Sequence, residues 1–589
     1  MSMSAEEWNP LIYGPKSAVR KVLRRLRLLP LVSRGAGVVL GARNALGLEG
    51  ALPITRHDRL TRNLRAILDR SPEFLSELGR VPIKGRIVFP HLRGHPYLEL
   101  LEIFLAYRLW LDGYEPVFVA CGGLPVCNNY TLGEDAARNP QVCRTCVRNH
   151  DQLLRASGVP YRDIVTSPAA IGEALSRTRR LSVQACHEFV YRGVPVGELV
   201  VPSVARHLRR TALFASEPDE VDAWRAYVAS ACVLVDRLSE LLDEVRPARG
   251  LMAGGWFMWY AIASHLLRQR NVESVFYEAG FHDAPKGHRW VFSQGVPLTD
   301  PGWIAESWRE WRDVPLTAEE NAHLDQVLAA RRRGSVYHPS PLEDAAAIRR
   351  ELQLPDDGRP VVALFTGLTW DYAIYGRGRA AFSDMTDWVV QTIRCMADRD
   401  AWVVIRIHPA EAILHEGVYG RENLAELLRA RLGELPGNVR LVPARSKVSS
   451  YRLLEMADAA VVFASTIGLE AAIAARSPLI LGAYSILSDR GFGRQPETPS
   501  AYYDLLADVR SLPRPRPEEA EAARRFTYLY FFRTSWPLHF YDSGADGIYS
   551  IDRFRIRTLD ELRPGSNRLL DRLVAGIHGN GALAMPREL

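Results

Sequence analysis

Two short stretches combine residue types that suit the binding of a phosphate group. In "VVIRIHPAE" an apolar run ends at His408-Pro409. Because proline cannot continue a strand ladder, this imidazole should stand at the end of a buried strand. In "AVVFASTIGLEAA" a second apolar run ends at Ser465-Thr466, directly before a helical pattern. A helix start offers unpaired N–H groups and partial positive charge, so two hydroxyls there can form a phosphate receptacle. Either hydroxyl could instead only cap the helix.

Four further residues near these stretches are candidates for contacts with the same ligand. Gly468 would let a ligand or a neighbouring segment approach closely. Glu470 could bind a ribose hydroxyl, or could face solvent near the helix start, where its negative charge is favourable. Arg490-Gly491 in "SDRGFG" could form a loop over the ligand, although a plain surface turn would account for them as well.

The first half of the chain offers a candidate general base. Glu278 in "VFYEAGF" ends an apolar run and precedes a glycine turn, so its carboxylate can face a cleft and accept a proton. A purely structural role is about as common for a glutamate at a strand end. His91 and His95 in "PHLRGHPYLEL" are the reserve candidates on this side. Gly254 and Gly255 in "MAGGW" should permit close approach of a ligand or a helix.

These residues lie at the ends of predicted strands that alternate with predicted helices. The first half has strands in "KGRIVFPHL", "EPVFVAC", "RGLMAGG" and "ESVFYEAG", and the second half has them in "RPVVALFTG", "AWVVIRIHP", "NVRLVP", "AAVVFAS" and "SPLILGA". Strands separated by helices of this length are typical of parallel sheets with right-handed crossovers. We therefore predict an α/β protein with two tandem Rossmann-like domains and a ligand cleft at their strand ends.

The chain has 589 residues, which exceeds one domain and predicts a modular protein. The predicted parts are a basic helical extension at 1–78, a first domain at 79–335 with a cysteine-rich insert at 121–146, a second domain at 345–515, and helices at 516–589 that pack back on the first domain. The best linker candidate is the Gly-, Ser- and Pro-containing stretch near 333–344.

The composition is that of an ordinary globular protein, with 47% hydrophobic and 24% charged residues. A formal net charge of +6 fits anionic small molecules or lipid headgroups and does not imply nucleic acid. We expect a cytoplasmic protein, since no run is long enough for a spanning helix and the start lacks a signal-peptide pattern. The basic amphipathic segment 16–29 could lie on an anionic membrane surface, or could be a solvated helix docked on the protein itself.

Four of the seven cysteines lie close together in the sequence. Cys121, Cys127, Cys143 and Cys146 have the spacing C-x5-C, x15, C-x2-C, and four thiolates in one short insert suit a tetrahedral structural Zn2+. Free thiols are the nearest alternative and an iron–sulfur cluster a more remote one. Four protein ligands would close the coordination shell, so a catalytic role for this metal is not indicated.

Several of these motifs resemble one known family. "IRIHPAE", "NVRLVPARSKVSSYRLLEMADAAVVFASTIGLEAA" and "SPLILGAYSILSDRGF" are similar to the C-terminal half of bacterial capsular-polysaccharide glycosyltransferases that use CMP-Kdo. They resemble, more distantly, the His-Pro and Ser-Thr motifs of sialyltransferases and teichoic-acid glycerophosphotransferases. The match covers roughly residues 355–510, and in the first half only "FYEAGFHDAPKGHRW" resembles the family's Glu-x-Gly segment.

The resemblance implies the two-domain GT-B architecture and a nucleotide-sugar donor, with CMP favoured and a glycan or glycolipid as acceptor. It implies that His408, Ser465 and Thr466 hold the donor phosphate, and it suggests inversion. No catalytic metal is expected, because the only Asp-x-Asp motif, Asp398 to Asp400 in "MADRDAWVV", precedes a strand and so lies at the wrong edge. The alternatives are a nucleotide-sugar 2-epimerase, a CDP-alditol phosphotransferase, and a non-catalytic nucleotide-binding scaffold in polysaccharide assembly.

Overall fold

The computed structural model describes most of the chain and divides it into two compact units. The described residues are 56–91, 95–127, 140–280, 289–333, 341–371, 381–382, 384–412, 422–544, 547–579 and 583–588. The first unit contains the described residues through His207, together with Ala215–Leu298 and the described residues from Thr534 onward. The second unit contains Leu208–Phe214 and Thr299–Arg533. The basic segment 16–29 lies outside the described residues.

A seven-stranded sheet forms the centre of the first unit. Its strands are β1 (Gly85–His91), β2 (Tyr114–Cys121), β3 (Tyr161–Ile164), β4 (Arg249–Ala253), β5 (Glu273–Ala279), β6 (Arg289–Gln294) and β12 (Ser535–Pro537), in the order β12-β6-β5-β4-β1-β2-β3. The five strands from β3 to β5 in this order run parallel, whereas β6 is antiparallel to β5 and β12 is antiparallel to β6. The carboxyl ends of β1, β4 and β5 therefore meet at one edge of the sheet.

Helices and one hairpin cover this sheet. The helices are α1 (Arg56–Leu68), α2 (Pro72–Leu78), α3 (Pro96–Leu111), α4 (Pro140–Ser157), α5 (Pro168–Thr178), α6 (Val183–His187), α7 (Val196–Leu208), α8 (Pro218–Val245), α9 (Met258–Gln269) and α19 (Arg568–His578), and the hairpin is β13 (Tyr541–Gly544) with β14 (Gly547–Phe554). The sequence of α3 is apolar around most of its circumference, and its residues 97–109 are all buried. Such a helix needs cover on every side. Part of that cover comes from Phe540 and Phe554, whose rings contact Phe104.

The second unit is built on a five-stranded sheet in which every neighbouring pair is parallel. Its strands are β7 (Val361–Phe365), β8 (Trp402–Arg406), β9 (Val439–Val442), β10 (Ala459–Val462) and β11 (Leu479–Leu481), in the order β11-β10-β7-β8-β9. All residues of β7, β8 and β10 are buried. Strands that are buried on both faces have unbroken apolar sequences, and these strands could therefore be predicted from the sequence.

The helices of the second unit lie between and after these strands. They are α10 (Ala305–Trp311), α11 (Ala318–Arg333), α12 (Ala345–Glu351), α13 (Met385–Met396), α14 (Leu424–Leu432), α15 (Ser450–Met456), α16 (Ile467–Ala474), α17 (Pro499–Ala507) and α18 (Pro517–Tyr528), and α18 continues into a π-helical turn at Leu529–Arg533. The prediction of an α/β protein with two Rossmann-like sheets is confirmed. In the described part of the chain, no helix combines the length and apolar character needed to cross a bilayer.

The unit boundaries differ from the predicted domain limits. Residues 299–333, expected in the first domain, belong to the second unit. The reason is that α10 and α11 pack on α18: Trp308 meets Phe526 edge to face, Arg524 pairs with Asp325, and Arg533 pairs with Glu320.

The expectation that residues 516–589 form only helices is wrong. The chain forms β12 and the β13–β14 hairpin between α18 and α19. β12 and β13 have only 3 and 4 residues, and β13 pairs with β14 in a separate two-stranded sheet. Their local sequence therefore lacks the long apolar runs that marked the central strands.

Candidate functional site

Three adjacent strands of the second sheet end in polar residues at the same edge. His408 follows β8, Thr366 follows β7 and Ser465 follows β10, and β7 lies between the other two strands. With neighbouring strands about 4.8 Å apart, the edge between β8 and β10 is roughly 10 Å wide. The His408 backbone N–H donates to the Thr366 Oγ1 at 3.2 Å, which draws the loop after β8 toward the loop after β7. The histidine and the hydroxyl pair thus stand on neighbouring parts of one rim.

The hydrogen bonds of His408 define which ring nitrogen carries its proton. The Ala410 backbone N–H donates to Nδ1 at 3.1 Å, so Nδ1 is an acceptor and the neutral ring carries its proton on Nε2. Burial, assisted by the nearby Arg406 guanidinium, lowers the pKa of His408 to about 4. At neutral pH this residue is therefore an uncharged imidazole that offers one N–H donor. Pro409 opens the 3-10 turn Pro409–Glu411 directly after it, as expected for a residue that ends the strand.

The hydroxyls of Ser465 and Thr466 have no hydrogen-bond partner among the described residues. Thr466 is the N-cap residue of α16, yet its side chain makes no capping bond. Ser465 contributes only its carbonyl, which accepts from the Gly468 N–H. Both residues are half-buried, so a ligand at the helix start can reach them. The alternative in which Thr466 merely caps its helix is wrong for this geometry.

Gly468 is needed for packing within the unit. A Cβ at this position would come within 2.5 Å of the Leu487 Cδ1 and 3.2 Å of the Val462 Cγ2. The close approach is thus made by a neighbouring segment, which was one of the two expectations for this glycine. It lets the first turn of α16 lie directly against β10 and the loop after β11.

Glu470 forms an ion pair and does not face solvent as one expectation held. Its carboxylate lies 2.7 Å from the Nε of Arg331 on α11, and its side chain is 1% exposed. The Arg331 guanidinium also lies 5.6 Å from the centre of the Phe531 ring. Glu470 follows Thr466 by four residues and so shares its helix face. Glu470 therefore anchors the helix that carries the two hydroxyls.

The side chain of Arg490 is buried and donates to two backbone carbonyls. It therefore forms neither the expected loop over the ligand nor the expected surface turn. Its Nε donates to the Ile486 carbonyl and its Nη2 to the Pro301 carbonyl, at 3.1 and 3.0 Å. The guanidinium lies over the Phe526 ring, and burial lowers the pKa of Arg490 to about 10. Gly491 is exposed and has a φ of +84°, so it forms the turn that follows.

Glu278 lies at the end of β5, where its side chain is half-buried and hydrogen-bonded. One of its oxygens accepts from the Ala279 N–H at 3.2 Å, and it also accepts from the Trp256 indole. Burial raises the pKa of Glu278 above its ordinary value, although these two donors oppose the rise. A raised pKa brings a carboxylate closer to the range in which it can accept and return a proton. The geometry is therefore compatible with a base.

The two glycines after β4 make room for aromatic rings next to Glu278. A Cβ on Gly254, whose φ is +48°, would overlap the Trp256 indole and approach the Glu278 Oε2 to 3.1 Å. A Cβ on Gly255 would meet the Phe276 ring at 2.7 Å. The expected close approach thus involves neighbouring side chains among the described residues.

His91 belongs to a buried cluster at the end of β1. Its Nδ1 donates to the Glu102 Oε2 at 2.6 Å, and the Tyr277 hydroxyl donates to the other oxygen of Glu102. His150 on α4 donates from Nδ1 to Glu99, and the His91 Nε2 lies 4.0 Å from the same Glu99 oxygen. We call His91, Glu99, Glu102 and His150 the histidine–glutamate cluster.

The members of the histidine–glutamate cluster are at most 2% exposed. His91 therefore differs from the expected acceptor-side residue of an open cleft. His95 is the N-cap residue of α3 and is also buried. Burial, together with repulsion from His150 and His91, lowers the pKa of His95 to about 3, so its ring is uncharged at neutral pH. Glu99, Glu102 and His150 were not among the predicted site residues. A signal was present, because two glutamates stand at i and i+3 within the otherwise apolar α3.

The cysteines of the insert lie at the end of β2, in the loop that follows it and on α4. Cys121 is the last residue of β2, and Cys143 and Cys146 stand one turn apart on α4. The Cys143 Sγ lies 3.5 Å from the position that a Cβ would take on Gly123. The first turn of α4 thus meets the loop that connects Cys121 to Cys127. The rest of the insert, residues 128–139, lies outside the described residues.

The two aspartates of the Asp-x-Asp motif precede β8. Both are exposed, and Asp400 lies 4.0 Å from Arg359. Because they stand at the amino end of the strand that His408 follows, they are at the opposite edge of the sheet from the hydroxyl pair. Their position agrees with the expectation that they lie at the other edge from the candidate site.

Comparisons with known proteins give structural similarities only. No protein-family model matches the chain, and no curated protein matches it. The matching solved structures include KpsC, a beta Kdo 2,4 transferase from Thermosulfurimonas dismutans, with 13% identity and a TM-score of 0.30 over 53% of this chain and 86% of that one. They also include the glycosyltransferase SnogD from Streptomyces nogalater, with 15% identity and a TM-score of 0.21 over 75% and 94%.

A third matching structure is UDP-GlcNAc 2-epimerase from Neisseria meningitidis bound to UDP-GlcNAc, with 9% identity and a TM-score of 0.23 over 75% of this chain and 95% of that one. Two of the three proteins are thus named as sugar transferases, and the third is named as an epimerase of a nucleotide sugar.

Proposed function

We propose that the chain is a glycosyltransferase of the GT-B type that uses a nucleotide-activated sugar, with a CMP-linked, Kdo-like or sialic-acid-like donor favoured. One observation carries the proposal. The Ser465 and Thr466 hydroxyls lack partners in the described chain and stand at a helix start, on the same rim as the neutral His408. Such an arrangement supplies donors to a phosphate without using a charged side chain.

The donors would act on the leaving nucleotide. When the bond between the sugar carbon and the phosphate oxygen breaks, its electron pair stays on that oxygen and negative charge grows on the phosphate. The Nε2–H of His408, the two hydroxyls and the partial positive charge at the start of α16 can stabilise this charge. These groups are fixed before the reaction, because Ala410 orients the imidazole and the pair of Glu470 with Arg331 anchors α16.

Glu278 is proposed to be the base that activates the acceptor. The acceptor hydroxyl would lose its proton to the Glu278 carboxylate while its oxygen forms the new bond to the sugar carbon. Attack opposite to the leaving phosphate inverts the configuration at that carbon. The raised pKa of Glu278 and its half-buried position support this role.

The acceptor is proposed to be a surface polysaccharide or a glycolipid. The basic segment 16–29 would then hold the protein on the inner face of an anionic membrane, where such acceptors are assembled. A structural Zn2+ bound by Cys121, Cys127, Cys143 and Cys146 is part of the same proposal. Its support is the thiolate spacing and the approach of the Cys143 helix turn to the loop after β2.

A thermal-shift panel tests the donor assignment. We expect CMP to raise the melting temperature of the full chain more than UMP or AMP does, because a ligand that binds only the folded state stabilises it. UDP and UDP-GlcNAc are included in the panel to test the alternatives of an epimerase and a UDP-dependent transferase. Stabilisation by UDP or UDP-GlcNAc, with no effect of CMP, would refute the CMP assignment.

Two variants test the residue roles. His408→Ala should weaken CMP binding and abolish transfer, because the donor to the phosphate is lost. Glu278→Gln should abolish transfer with CMP binding unchanged, because the amide cannot accept the proton. Glu273→Gln is the matched control, since Glu273 is on the same strand but pairs with Arg249. Full transfer activity in either test variant would remove that residue from the mechanism.

A further inference from the structure

The histidine–glutamate cluster brings three metal-binding atoms from three elements to one point. One nitrogen of His91, one nitrogen of His150 and one carboxylate oxygen of Glu99 all lie within 4.8 Å of one another. The residues come from the end of β1, from α4 and from α3. Each is at most 2% exposed. Two atoms bound to one zinc-like ion at about 2.0–2.2 Å each stand about 3.4 Å apart in tetrahedral geometry and at most about 4.4 Å apart. The three side chains therefore need to shift by only about 1 Å to share an ion.

The surroundings of His91 match those of a histidine that binds a metal. Its Nδ1 is held by the carboxylate of Glu102 at 2.6 Å, and this carboxylate is itself held by the Tyr277 hydroxyl. Because a carboxylate only accepts, the proton lies on Nδ1 and the lone pair of the neutral ring lies on Nε2. That nitrogen faces Glu99. A carboxylate behind the other ring nitrogen is the usual support of a metal-bound imidazole.

A divalent cation at this point would balance the negative charge of the two glutamates. Glu99 and Glu102 are both fully buried, and buried carboxylates need compensating positive charge. Two imidazolium rings could supply it, but the His91 and His150 nitrogens lie within 4.8 Å of each other and two positive charges at that separation would repel. One divalent ion between two neutral imidazoles supplies the same charge at a single point.

We propose that His91, Glu99 and His150 bind a divalent transition-metal ion, with Zn2+ the expected ion, and that Glu102 positions His91 for it. Two imidazoles and a carboxylate form a ligand set that suits zinc. When the His150 Nδ1 binds the ion, the proton of the neutral ring moves from Nδ1 to Nε2, so the imidazole stays uncharged. The ion would tie α3 and α4 to the end of β1. It is separate from the cysteine insert, whose ligands are thiolates, and it does not depend on the proposed transferase function.

The first experiment measures metal content. Three untagged full-length proteins are compared: the parent, His150→Gln and His578→Gln. Each is loaded with Zn2+ and freed of excess metal, and its zinc content is then measured by mass spectrometry. His578 is the matched control, because its Nε2 also contacts a carboxylate, that of Asp112 at 2.8 Å, on the partly exposed α19. We expect His150→Gln to lose one equivalent of zinc and His578→Gln to lose none. Equal zinc in the three proteins would overturn the proposal.

The second experiment leaves the three ligands intact. Glu102→Gln should keep the stoichiometry at saturating Zn2+ but bind the ion about 10- to 100-fold more weakly, as expected for a supporting carboxylate. Unchanged affinity would contradict the role of Glu102.

A Cys143→Ser chain loaded with Co2+ provides a readout that does not depend on the folding of the cluster variants. We expect visible absorption from a cobalt ion with nitrogen and oxygen ligands and no sulfur-to-cobalt charge transfer. Absence of any protein-bound cobalt spectrum in that chain would refute the site.

Discussion

Thr466→Val is the substitution that most directly separates a ligand-binding hydroxyl from a helix cap. Valine keeps the shape and volume of threonine and removes only the hydroxyl. Because the Thr466 side chain makes no capping bond, its loss should leave the stability of the second unit nearly unchanged, within about 0.5 kcal/mol. The same hydroxyl should bind the charged phosphate of CMP, so the variant should lose affinity.

The expected loss of CMP affinity at Thr466 and the expected loss of stability at a capping threonine can both be estimated. A hydrogen bond to a charged group contributes about 1.5–3 kcal/mol, which corresponds to about a 10- to 150-fold increase in the Kd for CMP. Thr498 provides the matched control within the same unit, because its side chain does accept from the Ala501 N–H at 3.2 Å. Loss of such a cap costs about 1 kcal/mol, or about 2–4 °C in melting temperature for a unit of this size.

Two assays decide the outcome. Calorimetric titration gives the Kd for CMP, and a thermal scan without nucleotide gives the melting temperature of each variant. We expect Thr466→Val to change only the Kd and Thr498→Val to change only the melting temperature. If Thr466→Val lowers the melting temperature as much as Thr498→Val does and leaves the Kd unchanged, the hydroxyl is a cap and the reasoning is refuted.

Three further predictions concern stability and metal content. Glu411 is buried and has a pKa raised to about 7, mainly by burial, so the folded state should lose up to about 3 kcal/mol between pH 4.5 and pH 7 as this carboxyl ionises. Glu411→Gln should therefore be as stable as the parent at pH 4 and more stable at pH 8 in thermal scans, and equal stability at pH 8 would contradict the assignment. Gly468→Ala should cost about 1–3 kcal/mol by overpacking against Leu487, seen as a lower melting temperature, whereas a neutral effect would show that the contact can relax. If the cysteine insert binds Zn2+ as proposed, Cys143→Ser should hold one equivalent less metal than the parent, measured by metal analysis.

The central strands could be predicted from the sequence because they are buried on both faces. Val403, Val461 and their neighbours give unbroken apolar runs that no loop would carry. The ends of these runs located His408 and the Ser465-Thr466 pair for the same reason. The remaining strands of the first sheet and the strands of the separate hairpin gave no such signal, and β3, β6, β12, β13 and β14 were missed.

The side-chain partners could not be predicted because they depend on tertiary contacts between distant residues. Nothing near Glu470 in the sequence indicates Arg331, which lies 139 residues away, and nothing near Arg490 indicates Pro301, which lies 189 residues away. The same holds for Glu99 and His150. Their residue types were visible in the sequence, but their convergence depends on how α3 and α4 pack beside β1.

The strand β12 has a consequence for how the protein can be made. It follows β6 by more than 200 residues in the chain (Gln294 to Ser535), yet it pairs with β6 at the border of the first sheet. A nascent or truncated chain that stops before residue 535 would leave Arg289–Gln294 as an uncapped edge with unpaired backbone groups. Such a chain would tend to associate with other copies through that edge. An isolated N-terminal fragment is therefore a poor choice for expression, whereas a fusion that supplies the C-terminal segment should restore solubility.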